Sequence, residues 1–136
     1  LAAMALGAEG VQIGTLFALS AESSASEAFK QRCLALDEGG TMLCLKKLSP
    51  TRLVRNGLFD KVAEAEARGA NAEELRDILG KAASKRGIFE GDTEQGELEI
   101  GQIASSVDAI RPAGEIVRQL VENFRKAQKD VAAIGF

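Results

Sequence analysis

The first 17 residues constrain the fold more than any other part of the chain. The apolar run at residues 1–6 predicts a helix end, and Gly7 suits the left-handed position after a helix. The segment GVQIGTLF (10–17) is uncharged, contains β-branched residues and begins with glycine, which is typical of a short buried strand. Helix, tight turn and apolar strand form the αβ half of a repeating α/β unit, with a parallel strand covered on both faces.

The chain opens with Leu1, not Met, inside an apolar run that has no N-cap residue. Helices usually begin after Ser, Thr, Asp or Asn. This opening is typical of the second half of a helix, so we expect a fragment of a longer fold. At 136 residues the chain is long enough for one compact domain but not for two.

Helices dominate the rest of the predicted order, α-β-α-(β)-α-α-α-α. Ser24 and Glu27 have the spacing of a capping box for a helix over about 25–36, with Phe29, Cys33 and Leu36 on one stripe. TMLCL (41–45) suggests a second short strand. Further helices are expected at about 58–68, at 72–86 with Asn71 and Glu74 as a capping box, over 101–110, and after Pro112, with a loop at 87–101.

Composition excludes several kinds of chemistry. The absence of histidine rules out a Ser-His-Asp triad, a Cys-His pair and a His-ligated metal. A net charge of -3 and an aromatic fraction of 4% argue against nucleic-acid and anionic-membrane partners. Cys33 and Cys44 lack metal-ligand spacing and are expected to pack in the core. With no secretory signal or apolar span, we expect a reduced, cytoplasmic chain.

Two charged segments allow alternative interpretations. The segment 46–56 carries Lys46, Lys47, Arg52 and Arg55 with no acidic residue, so it suits either a phosphate or acidic carrier protein or an ordinary solvated loop. The acidic residues of 87–101 lack the alternating ligands and closing Glu of a calcium loop. We therefore expect no metal site.

The candidate ligand site lies at the end of the predicted strand. Ligands of parallel α/β folds collect at the carboxyl ends of strands, and (β/α)₈ barrels bind phosphate after strands 7 and 8. In the sequence Gln12-Ile13-Gly14-Thr15, glycine permits close approach of an anion and threonine adds a hydroxyl. The alternative is that Gly14 only relieves crowding, and the dipeptide alone does not decide between the two.

The run at 2–23 resembles the final barrel unit of the nitronate monooxygenase family, which includes FMN-dependent enoyl-acyl-carrier-protein reductases. The family pattern ALGAxxVQxGTxF is matched by Ala5-Leu6-Gly7-Ala8, Val11-Gln12, Gly14-Thr15 and Phe17. Gly101-Gln102-Ile103-Ala104 is similar to the family's later GQ motif, and Pro50-x-Arg52-xxx-Asn56 to its segment after the barrel.

The resemblance implies FMN as cofactor, with Gly14 and Thr15 binding its phosphate and Gln12 as a further matched position. It implies a TIM-barrel fragment in which residues 1–36 form the last βα unit and residues 37–136 a mainly helical C-terminal extension. The chain would begin inside helix 7, since a complete barrel takes about 250 residues. The family's catalytic histidine would lie outside this chain, so no catalytic residue is assigned here.

The implied parent enzyme either oxidises alkyl nitronates with O₂ or reduces enoyl thioesters with NAD(P)H, and the chain alone is expected to be inactive. Its substrate would be a small molecule or an acyl thioester. Two alternatives are a non-enzymatic helical interaction module and the small subunit of a split enzyme. Because a lone strand leaves backbone groups unpaired, we expect the chain to rearrange, to form a homo-oligomer or to join the missing N-terminal part of the barrel.

Overall fold

The computed structural model describes residues 1–134 as six α-helices and one two-stranded sheet. The last two residues of the predicted extension 37–136 lie outside this range. In chain order the elements are α1 (Ala2–Ala5), α2 (Thr15–Ala18), α3 (Glu27–Leu34), β1 (Thr41–Cys44), β2 (Thr51–Val54), α4 (Gly57–Ala67), α5 (Ala72–Leu79), a π-helical turn (Lys85–Phe89), a 3₁₀ helix (Gln102–Ser106) and α6 (Ala113–Ala132).

The predicted strand at 10–17 is wrong for this structure. Residues 10–14 have no regular secondary structure, and α2 starts at Thr15. A parallel strand needs a neighbouring strand to receive its backbone hydrogen bonds, and none lies beside it in the described part of the chain. The preceding helix end is confirmed, because Gly7 follows α1 with φ of +99°.

The N-cap of helix α3 lies two residues after the predicted one. Ser26, not Ser24, is the N-cap, and its hydroxyl accepts a hydrogen bond from Phe29 N at 3.2 Å. The backbone N–H of Ser26 donates to Ile88 O at 2.7 Å, so a tertiary contact fixes where the helix starts. Phe29 and Cys33 of the predicted apolar stripe are buried on α3, whereas Leu36 is buried beyond the end of the helix at Leu34.

An antiparallel hairpin replaces the expected single strand. β1 confirms the prediction at 41–45, whereas β2 lies inside the basic segment and was not predicted. Successive β2 residues face different parts of the core, as the two-residue repeat of a strand requires. Leu53 packs in a cluster with α4 and α5, and Val54 packs in a cluster with α3 and the 3₁₀ helix. The hairpin therefore lies between the two halves of the core.

The long helix expected at 72–86 is interrupted. The predicted capping box is confirmed, because Asn71 accepts from Glu74 N while the Glu74 carboxylate accepts from Asn71 N. The helix ends at Leu79, because Gly80 adopts φ of +66°, and a π-helical turn follows at Lys85–Phe89. The helix expected over 101–110 is only the 3₁₀ helix Gln102–Ser106.

Helix α6 follows Pro112 as predicted. Residues from the N-terminal part of the chain form hydrogen bonds at its N-terminal end. The Glu22 carboxylate accepts a hydrogen bond from Ala113 N at 2.8 Å, while Ala21 N donates to Arg111 O at 3.0 Å. Of its 20 residues only Ile116 is buried. Within residues 1–134, none of the helices has the length and apolarity needed to cross a membrane.

Candidate functional site

The segment at 10–18 places the predicted ligand residues at the mouth of a cavity. Gly14 is the N-cap of α2, and Thr15 is the first residue of that helix. Both line a cavity of about 360 Å³, the Gly14–Thr15 cavity. Its other lining residues are Ala18, Arg52, Glu99, Ile100 and Gly101. Residues from α2, β2 and the segment before the 3₁₀ helix thus meet at one place.

The Gly14 side of the cavity is open to an approaching group. A Cβ placed at Gly14 would meet no atom within 4 Å, and the residue has ordinary helical φ and ψ of -91° and -63°. Within residues 1–134, the backbone N–H groups of Gly14, Thr15 and Leu16 donate to no other backbone carbonyl. Free N–H groups beside open space are the donor set that a phosphate requires.

The side chain of Thr15 lies directly against Gly101 on the opposite wall of the cavity. A Cβ at Gly101 would lie 2.6 Å from Thr15 Oγ1, so the absence of a side chain at Gly101 makes room for the threonine. Ile100 N donates to Arg52 O at 3.3 Å, which joins this wall to β2. Gly101, predicted only as part of a later motif, therefore lies directly against the candidate site.

Two residues of the quoted motifs lie elsewhere. Gln12 is exposed and is not among the residues that line the cavity. Gln102 is also exposed and lines a separate polar cleft that includes Glu38 and Ser105. The structure thus brings Gly14, Thr15 and Gly101 together but leaves both glutamine side chains outside the cavity.

The basic residues of the segment 46–56 have different roles in the structure. Lys47 Nζ donates to Gly69 O and Ala70 O at 2.9 and 3.0 Å, and Lys46 N donates to the Glu66 carboxylate at 2.8 Å. Arg52 is the residue of this segment that lines the cavity. Sequence reasoning placed Arg52 in the segment but missed its position beside Gly14, because the β2 strand that carries it was not predicted.

Asn56, matched in the same motif, has a clear structural role. Its Oδ1 accepts from Phe59 N at 2.9 Å and caps α4. Its Nδ2 donates to Thr93 O and Gly96 O, both at 2.9 Å. The Asn56 side chain therefore links the acidic segment to the N-terminus of α4.

The acidic residues of that segment have separate partners. Asp92 Oδ1 accepts from Gln95 N at 2.8 Å, and Glu97 accepts from Ser84 Oγ at 2.5 Å. Glu90 pairs with Lys85 at 3.0 Å. Among the described residues, no three acidic or cysteine side chains converge to hold a metal ion.

Comparison with known proteins decides the family. A profile of the family described as "Nitronate monooxygenase" matches residues 1–123. The chain belongs to the nitronate monooxygenase family. This is a family of FMN-dependent oxidoreductases with a TIM-barrel fold, as the resemblance of residues 2–23 implied.

Individual relatives are similar over most of this chain. A nitronate monooxygenase of Neurospora crassa is 29% identical over 98% of the chain and 36% of its own length. A (3aS,4S,5R,7aS)-5-hydroxy-7a-methyl-1-oxo-octahydro-1H-indene-4-carboxyl-CoA dehydrogenase of Mycobacterium tuberculosis is 28% identical over 88% of the chain and 44% of its own length. The structure of FabK from Thermotoga maritima superposes with a TM-score of 0.86 at 30% identity.

The chain spans less than half of each of these relatives. The FabK superposition covers 96% of this chain and 42% of the FabK chain. The shared fold therefore extends across nearly all of the present sequence and corresponds to only a part of the relatives' structures.

Proposed function

We propose that this chain acts as the C-terminal part of an FMN-dependent oxidoreductase and supplies half of its flavin phosphate site. In this proposal residues 1–36 belong to the last unit of the barrel, and the residues after them form the helical extension. The observation that carries the proposal is the open, glycine-lined cavity at Gly14 and Thr15, whose backbone N–H groups donate to no backbone carbonyl within residues 1–134.

The residues present suit the phosphate end of FMN. A volume of about 360 Å³ lies near the lower end of the usual range for ligand pockets, which suggests a site for one end of the cofactor. Gly14 N–H, Thr15 N–H and Thr15 Oγ1 would donate to the phosphate oxygens. The bound flavin would supply the redox chemistry, and residues outside this chain would contact the isoalloxazine ring and the substrate.

An apolar groove supports the proposal that the rest of a barrel covers this chain. The groove has a volume of about 540 Å³ between the N-terminal segment and α6. Met4, Val11, Ile13, Leu120 and Phe124 are among its lining residues. Exposed apolar surface of this extent is typical of a face buried against another chain segment.

The parent reaction stays a choice between two chemistries of the family. One is the oxidation of an alkyl nitronate by O₂, and the other is the reduction of an enoyl thioester by NAD(P)H. Steady-state assays of the full-length protein with each substrate pair would distinguish them. Turnover of a nitronate without NAD(P)H would select the first, and NAD(P)H consumption that depends on an enoyl thioester would select the second.

Replacing Gly14 by leucine in the full-length protein tests the phosphate site. The backbone conformation and open space at Gly14 accept a side chain, so Gly14→Leu should leave the fold intact while it fills the cavity. We expect FMN affinity, measured by flavin fluorescence titration, to fall by more than about tenfold, equal to about 1.4 kcal/mol.

Gly114→Leu serves as the matched control. Gly114 lies on the exposed first turn of α6, where a Cβ would have only an ordinary contact with Arg118 at 3.8 Å. This variant should bind FMN like the unmodified protein. Unchanged FMN affinity in Gly14→Leu, with an unchanged melting temperature, would remove the phosphate-site assignment.

A further inference from the structure

We infer that Arg52 is a binding residue for the phosphate group held at the Gly14–Thr15 cavity. This inference rests on the proposed function, because it takes the flavin phosphate as the ligand of that cavity. It adds a cationic residue from the hairpin to a site whose other proposed donors belong to Gly14 and Thr15.

The hairpin register sets the face on which Arg52 lies. Arg52 is paired with Leu43, so the two side chains share one face of the sheet. Val54, two residues along β2, points into the core cluster formed with α3. Arg52 therefore lies on the same side of the sheet as α3, and it lines the cavity beside Gly14 and Thr15.

Thr41 fixes the guanidinium without using all of its donors. Arg52 Nη1 donates to Thr41 O at 3.2 Å and to Thr41 Oγ1 at 3.3 Å. Thr41 is itself buried at 7% exposure, so it provides a rigid support. Since a guanidinium carries five N–H donors, Nε and Nη2 keep donors for an anion.

The charge of Arg52 is not neutralised by the acidic residue nearby. Glu99 also lines the cavity, but its bridge partner is Leu53, which places the Glu99 side chain on the other face of the sheet. Within residues 1–134, no carboxylate lies within 4.0 Å of the Arg52 guanidinium. A partly buried cation with free donors beside free backbone N–H groups is suited to a phosphate.

Comparing FMN with riboflavin, which lacks the phosphate, tests this inference in the full-length protein freed of flavin. Arg52→Met removes the charge and keeps most of the side-chain length. We expect FMN affinity to fall by about tenfold or more while riboflavin affinity is unchanged, because the lost interaction is a charge-assisted hydrogen bond. Thr41→Val removes the hydroxyl acceptor of the guanidinium but keeps the carbonyl acceptor, so it should show a smaller loss of the same kind.

Arg55→Met is the matched control, since it removes one positive charge from the same segment at an exposed position outside the cavity. It should leave both affinities unchanged. An equal loss of FMN and riboflavin binding in Arg52→Met would show a structural role and overturn the inference. Unchanged FMN affinity would overturn it too.

The same titrations separate this inference from the proposed function. If the unmodified protein binds FMN no better than riboflavin, the phosphate site itself fails. If it prefers FMN and Arg52→Met keeps that preference in full, the phosphate site stands and only the assignment of Arg52 fails.

Discussion

Gly14 and Gly101 border the same cavity, but the missing side chain serves a different purpose at each. At Gly14 it leaves space that no other atom of the described residues fills. At Gly101 it leaves space that Thr15 Oγ1 occupies. The first glycine therefore keeps the cavity open, and the second makes room for the Thr15 hydroxyl beside it. The sequence made Gly14 and Thr15 candidates through their position after the predicted strand and their match to the family motif, whereas only the tertiary fold brings Gly101 against Thr15.

The two cysteines are residues of the core. Cys33 has 0% exposure, and burial raises the pKa of its thiol to about 12, although Arg32 acts in the opposite direction. Burial, with smaller contributions from Glu66 and Glu97, raises the pKa of Cys44 to about 11. Both thiols are thus held neutral at physiological pH, as expected for structural cysteines.

We predict that neither thiol reacts readily in the native protein. Alkylation by iodoacetamide at pH 8 should be much slower than in urea, because the reactive thiolate is both disfavoured and inaccessible. Mass spectrometry of peptides containing Cys33 and Cys44, taken over a time course, provides the measurement. Native labelling of either peptide as fast as in urea would contradict the described core.

At the scale of elements, the sequence predicted helix ends well wherever the residues that form the cap are close together in sequence. The Asn71–Glu74 capping box and Gly7 after α1 are such cases. The start of α3 was misplaced because Ser26 is fixed by Ile88, 62 residues along the chain. β2 was missed because a four-residue strand is specified by its pairing with β1 rather than by its own composition.

The acidic segment was expected to be a loop, yet it packs tightly against the π-helical turn. A Cβ at Gly96 would clash with the backbone of Gly87, and a Cβ at Gly87 would clash with the backbone of Glu97. Asn56 adds its hydrogen bonds to Thr93 and Gly96. The segment therefore has a defined path that composition alone did not indicate.

Gly96→Ala should destabilise the protein by about 1–3 kcal/mol, because the added methyl group has to displace backbone atoms. Gly10→Ala is the control, since a Cβ there meets no atom within 4 Å. Urea unfolding followed by circular dichroism, with the midpoints of the two variants compared, checks this expectation. Equal midpoints would contradict the close contact between Gly87 and Gly96.

At the scale of the whole molecule, the N-terminal segment and α6 together line the apolar groove. Of the 20 residues of α6 only Ile116 is buried, while Val117, Val121 and Val131 are exposed. Leu6 and Val11 are exposed in the N-terminal segment. Residues 10–17 have the sequence pattern of a buried parallel strand but no strand partner within residues 1–134. Both observations are explained if the remainder of a barrel covers this groove.

Flavin titration of this chain and of a longer protein that includes a complete barrel tests the central claim most directly. Flavin fluorescence would report FMN binding to each. We expect only the longer protein to bind FMN, since in our proposal this chain supplies only half of the phosphate site. Binding by neither protein would contradict the flavin assignment, and full-affinity binding by the chain alone would contradict the claim that the site is shared.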